Sequence, residues 1–284
     1  MLPSLLLTFR EGLEAALIVG IILGYLTRIG QSDRHKTVWA GVAVAVGGSL
    51  GMAVLLQALG AQFEGQMEYI FEGIAMLLAV ALLTWMIFWM RSQAHNFKRG
   101  LEAEVESAVQ PRRKWALFGV AFLAVFREGV ELALFLTATS FVSDGAATVI
   151  GALLGLGFAV LVGWLIYRGT VRLSMRWFFD ITTVLLLIFA AGLFAHGVHE
   201  LQEAGWIPIL VEHVYDLKPV LDDKSTVGSM LRVLVGYNDN PSLIEIISYF
   251  AYWLILIAVL AWSTRNQNRL DNKRQKIPAA SNVG

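Results

Sequence analysis

Two short stretches place ionisable side chains inside otherwise apolar chain. One reads Phe9-Arg10-Glu11-Gly12-Leu13-Glu14, and the other, 117 residues later, reads Phe126-Arg127-Glu128-Gly129-Val130-Glu131. On a helix, Glu11 and Glu14 share a face, as do Glu128 and Glu131, and each Arg stands one turn from the second Glu and can pair with it. Six ionisable groups facing lipid would cost on the order of 15–20 kcal/mol, so they must face one another or a wet cavity. Four carboxylates against two guanidiniums leave a formal excess of −2. A purely structural network of interhelical pins would balance its charges; an excess of hard oxygens suits a hard cation such as ferric iron, manganese, magnesium or calcium. Protonation is the other way to cancel the excess. The motif residues are therefore candidate metal ligands, Glu11, Glu14, Glu128 and Glu131, with Arg10 and Arg127 as charge-balancing neighbours.

The elements that carry these residues are membrane spans. Of 284 residues 57% are hydrophobic and only 15% charged, against about 25% charged in soluble domains. Lys+Arg 22 equals Asp+Glu 22, so no global field attracts a polyanion, and nucleic acid is excluded as a partner. With no Cys, thiolate metal sites, disulfides and Cys nucleophiles are excluded too. The fold class expected is all-α: a polytopic membrane protein in contact with the lipid bilayer. Stretches of about 20 apolar residues fall at 2–27, 38–59, 69–90, 115–141, 146–167, 177–198 and 243–262, which makes seven transmembrane helices. The first is expected to stay rather than be cleaved as a signal, because it lacks a basic leading region and Arg10-Glu11 interrupts it.

Of the 22 basic residues, 17 fall in the linkers after spans one, three and five and in the tail, while only Lys218, Lys224 and Arg232 fall on the other side. The positive-inside rule then puts the N-terminus outside and the C-terminus in the cytoplasm. Trp39, Trp85, Trp89, Trp115, Trp164, Trp177 and Trp262 all come near inner ends, as an interfacial belt would.

Spans one to three and four to six read as two copies. Besides the doubled motif, Tyr69-Ile70-Phe71-Glu72 of span three echoes Trp177-Phe178-Phe179-Asp180 of span six. An odd number of spans per copy reverses the second copy in the membrane. This is the 3+3 inverted-repeat plan of many secondary transporters, with the substrate site near midplane. One integral membrane domain over 1–284 results: 1–91 is the first repeat, 114–200 the second, 201–242 an extracytoplasmic loop, 243–263 the last span and 264–284 a basic cytoplasmic tail. Small residues at Gly12, Ala16, Gly20 and Gly24, and at Gly129, Ala133 and Thr137, form ridges that let helices approach closely. The acidic stretch 101–110 reads as a solvated helical connector.

A second group lies toward the outside. Glu64, Glu68 and Glu72 open span three, and His196, His199, Glu200 and Glu203 close span six. Several stand i,i+4, a spacing that can hold a metal, so they form a candidate outer vestibule; ordinary solvated helix ends account for them equally well.

Two Arg-Glu-x-x-Glu motifs in spans one and four of seven resemble the oxidase-dependent iron transporter family, most closely its bacterial permeases. The likeness extends to Gly236-Tyr237-Asn238 and Pro241-Ser242 before the last helix. The resemblance implies iron import across the bacterial cytoplasmic (inner) membrane, iron as transported substrate bound by the four motif glutamates, and no permanently bound cofactor. It also implies partners: a periplasmic iron-binding protein and a haem peroxidase or other ferroxidase, since no haem or copper motif is seen in this chain. It is not expected to be an enzyme. Rival readings are an importer of another divalent cation, a cation/proton antiporter, or a membrane iron sensor or scaffold without flux.

Overall fold

The computed structural model describes residues 1–93, 97–108, 115–167, 175–223 and 225–275; among these every regular element is helical. In order they are α1 (Leu2–Arg28), a 3-10 turn (Ser32–Arg34), α2 (His35–Gly60), α3 (Gln66–Gln93), α4 (Phe97–Ala108), α5 (Ala116–Val142), α6 (Gly145–Tyr167), α7 (Met175–Glu203), α8 (Thr226–Val235) and α9 (Leu243–Gln275). Five helical segments are long and apolar enough to cross a membrane: Ser32–Gly60, Gln66–Trp89, Gly145–Leu165, Asp180–Glu203 and Leu243–Trp262. The other two long helices, α1 and α5, have 27 residues each, about 40 Å at 1.5 Å per residue, and carry the two charged motifs. The linker cations Arg112, Arg113, Lys114, Arg168 and Arg172, and the side chains of Arg91, Lys98, Arg99, Arg176, Trp177 and the basic tail, lie outside the described residues.

The helices do not pack chiefly on their sequence neighbours. The main partner of α1 is α6, and that of α5 is α2, while α3 packs on α7 and α1 on α5; α9 closes against α7. The α1–α6 and α2–α5 crossings are made where side chains are smallest. A Cβ on Gly12 would stand 2.9 Å from Ala159 Cβ of α6, and one on Gly129 would collide with Ser49 of α2. Ala16 likewise faces Gly163. The C-terminal residues of the α1 ridge, Gly20 and Gly24, face nothing within 4 Å, so the ridge is used only around the charged motif. Gly129→Leu is therefore expected to abolish the monodisperse peak in detergent size-exclusion chromatography, and Gly20→Leu to leave it in place. Equal profiles for the two variants would contradict this packing.

Two apolar cores result. One gathers Leu7, Met76, Leu83, Phe135, Phe189 and Tyr252 from α1, α3, α5, α7 and α9. The other gathers Ile22, Val38, Val105 and Ala121 from α1, α2, α4 and α5. The second core corrects the reading of 101–110 as a solvated connector: Leu101, Val105 and Ala108 are buried, and Arg28 pairs with Glu102 at 3.4 Å. The acidic residues occupy only the opposite face of an amphipathic helix. Outward, α2, α6 and α9 expose Leu50, Val54, Leu153, Val160, Leu254 and Ile255, an apolar surface suited to lipid rather than water.

The chain between α7 and α9 is more ordered than a loop of its length suggests. Ser225 caps α8 by accepting from Gly228 N, and Gly236 ends it at φ 72, a left-handed conformation that favours glycine. Gly236 also lies directly against Gly192 of α7, where neither position has room for a side chain. Gly192 precedes the end of α7 by three turns, so this segment reaches down into the bundle.

Candidate functional site

The crossing of α1 with α5 brings the two motifs together. Glu11, Glu128 and Glu131 each offer a carboxylate oxygen, all within 4.8 Å of one another, and all three are buried. Metal–oxygen bonds of about 2–2.5 Å place ligands of one hard cation at such separations. Both oxygens of Glu11, Oε2 of Glu128 and Oε2 of Glu131 are buried and accept no hydrogen bond among the described residues. Carboxyl oxygens held this way call for a cation or a proton. Glu14 stands aside from the three, its Oε1 3.3 Å from Arg10 Nε. Three of the four expected glutamates thus converge.

The two arginines differ. Arg10 is 1% exposed, with Nη1 3.9 Å from Glu11. Arg127 keeps 36% of its side chain exposed; its Nε donates to Glu131 Oε1 at 2.9 Å and lies 3.9 Å from Glu128. Its guanidinium also lies over two indoles of α3, 4.4 Å from the Trp89 centroid and 5.8 Å from that of Trp85. Trp39, Trp115, Trp164 and Trp262 are exposed, and so is Trp85; the belt reading of Trp85 and Trp89 leaves this contact out.

The outer group is less compact. Glu64, Glu68 and Glu203 are exposed, while Glu72, Glu200 and His199 are half-buried. Among the described residues, no three of the seven vestibule candidates offer ligand atoms within 4.8 Å of one another. His196 is buried, and its Nε2 accepts from Arg232 Nε at 3.2 Å, which occupies the lone pair a metal would use. His199 Nδ1 lies 3.6 Å from Glu245 of α9. Glu245 is buried and accepts from Asn238 Nδ2 at both oxygens, at 3.1 and 3.0 Å. Ser242 Oγ donates to Gln202 at 2.7 Å and accepts from Glu245 N. These bonds tie the α8 segment to the C-terminal end of α7 and the N-terminal end of α9. Sequence reasoning gives no role to Arg232 or Gln202 here and notes Asn238 only as part of the family likeness; a further signal is that Arg232 is one of few basic residues between the sixth and seventh apolar runs. A second close set, Asp222, Asp223 and Asp239, lies in the same segment, where Arg232 pairs with Asp223 at 3.2 Å.

Membrane-length apolar helices wrapped around a buried, anionic ligand set are the attributes of an integral membrane transport protein. The profile of the Iron permease FTR1 family matches residues 1–266, and the chain belongs to that family. Among its relatives are the ferrous iron permeases EfeU of Escherichia coli O6:H1, 39% identical over 254 residues (89% of this chain, 92% of that protein), and of Yersinia pestis, 39% identical over 254 residues (89% and 90%). EfeU of Escherichia coli O157:H7 is 37% identical over 267 residues (93% and 97%). These relatives are named as permeases, not enzymes. No solved structure matches the chain.

Proposed function

We propose that this protein imports iron across the bacterial inner membrane through Glu11, Glu128 and Glu131, with Glu14 as a fourth ligand on the path. The observation that carries this reading is the convergence of three buried carboxylates, contributed by two helices, at the spacing of one cation. In this reading α1 and α5 also span the membrane, making seven spans, and α1–α3 and α5–α7 form an inverted repeat with α9 outside it. The reciprocal packing of α1 on α6 and α5 on α2 supports that symmetry, as does the matching use of Gly12 and Gly129.

Iron reaches the outer face from a periplasmic iron-binding protein, after oxidation chemistry supplied by a haem peroxidase or another ferroxidase. Of the outer residues, Glu64, Glu68, Glu72, Glu200 and Glu203 are free to draw cations toward the entrance. Arg10 and Arg127 keep the metal-free site from carrying its full negative charge, and they weaken binding enough to permit release. With the N-terminus outside and the C-terminus in the cytoplasm, an inward-negative potential favours entry by about 2.3 kcal/mol per charge per 100 mV. The hard oxygens favour the ferric ion, whereas the relatives' names specify ferrous iron.

The test is flux of radiolabelled iron into proteoliposomes holding this chain alone, with ferrous and ferric iron supplied separately and unlabelled manganese as competitor. Saturable uptake of one iron species, resistant to equimolar manganese, is the expected result. Uptake that manganese displaces would mark a general divalent importer, and no uptake of either species would defeat the permease reading.

A further inference from the structure

The two motif arginines match in sequence but not in surroundings. Arg10 is enclosed, whereas Arg127 is 36% exposed and contacts both Glu131 and the Trp85–Trp89 pair. Trp85 and Trp89 stand one turn apart on α3, with centroids 6.4 Å apart and rings inclined at 29°. A cation seated on Glu131 repels the guanidinium bonded to that same carboxylate, and in a low-dielectric site this repulsion is strong. The guanidinium then has to leave Glu131. The face of an indole accepts a positive charge while offering no anionic oxygen to compete for the metal. Arg127 Cζ already lies 4.4 Å from the Trp89 centroid, so the guanidinium can release Glu131 by a change of side-chain torsion while it keeps the indole. Arg10, enclosed on all sides, lacks such freedom.

We propose that Trp89, assisted by Trp85, is a positioning residue for iron transfer. It is the rest that keeps hold of Arg127 when iron takes Glu128 and Glu131, and from which Arg127 re-forms its bond to Glu131 to drive the ion off. This inference rests on the glutamate site proposed above. Without the indole, Arg127 stays on Glu131 and iron binds less readily, so the apparent KM rises while the maximal rate changes less.

The test places mono-, di- and trifluorotryptophan at position 89 by nonsense suppression and measures iron flux in proteoliposomes. Fluorine withdraws charge from the ring face with little change of shape. The KM is expected to climb stepwise with fluorine number, reaching about threefold to twentyfold with three. Trp89→Phe should fall within the series, and Trp89→Leu at or beyond its end. A KM that stays flat across the fluorinated series, whether or not Trp89→Leu alters it, would assign Trp89 to packing and overturn the inference. Flux in the parent protein with a flat series defeats this inference alone; no flux in the parent defeats the glutamate reading as well.

Discussion

Replacing Glu11 by Gln is expected to bring iron uptake down to that of empty liposomes, a loss of roughly 100-fold or more, while the protein inserts and purifies as before. The substitution keeps shape and volume and removes one of three anionic ligands. Glu11 is 1% exposed, and both its oxygens lack hydrogen-bond donors among the described residues; no other group there is held so plainly in wait for a cation. Even indirect partners of metal ligands are worth about 10- to 100-fold, so a direct ligand should cost more. Glu128→Gln should behave alike. Glu212→Gln, in the exposed segment before α8, should transport at the parent rate. The check is initial-rate iron flux normalised to reconstituted protein, with size-exclusion profiles beside it. Parent-level flux through the Glu11→Gln variant would remove the site from the transport path.

The second large effect concerns folding. Arg10→Leu should lower stability by about 3–5 kcal/mol, because it strands the buried carboxylates Glu11 and Glu14 without their shared cation. For a chain of this size that corresponds to a fall of roughly 10 °C in the unfolding midpoint. Arg127→Leu should cost distinctly less, since Arg127 is 36% exposed where Arg10 is 1% exposed. Arg10→Leu combined with Glu14→Gln should recover part of the loss, the non-additivity expected of groups that share one network. Thermal unfolding in a fixed detergent at constant pH measures all three. An Arg10→Leu variant as stable as the parent would show that the charge pairs do not hold the helices.

The charged motifs are legible in the chain itself because lipid makes a lone ionisable group too costly to be accidental. The long helices are legible for the same reason: their apolar runs begin within a few residues of the observed elements, although α9 continues past the last run, through part of the expected tail, to Gln275. Helix partnership is not legible. Nothing in the composition of α2 or α6, both glycine-rich, says that α1 chooses the latter. The burial of Leu101, Val105 and Ala108 is hidden by Glu102, Glu104, Glu106 and Ser107 on the rest of α4. The order of the α7–α9 connection depends on contacts distant in sequence, such as Gly236 on Gly192 and Arg232 on His196. At the site itself, spacing points to four glutamates, and only the structure separates Glu14 from the three that converge. The indoles beside Arg127 escape it, because a tryptophan near a span's end has an interfacial explanation that asks for no partner.

The crossed pairing of the halves has a consequence for biosynthesis. The principal neighbour of α1 is α6, whose first residue is Gly145, so at ordinary translation speeds α1 emerges on the order of ten seconds before it. For most of that interval, until α5 is made, Arg10, Glu11 and Glu14 lack the second motif that completes their surroundings. The insertion machinery must therefore shelter a nascent segment with three ionisable groups until its distant mate is made, and a ribosome that stalls between α3 and α5 leaves a fragment that quality-control proteases should recognise by that unfinished face.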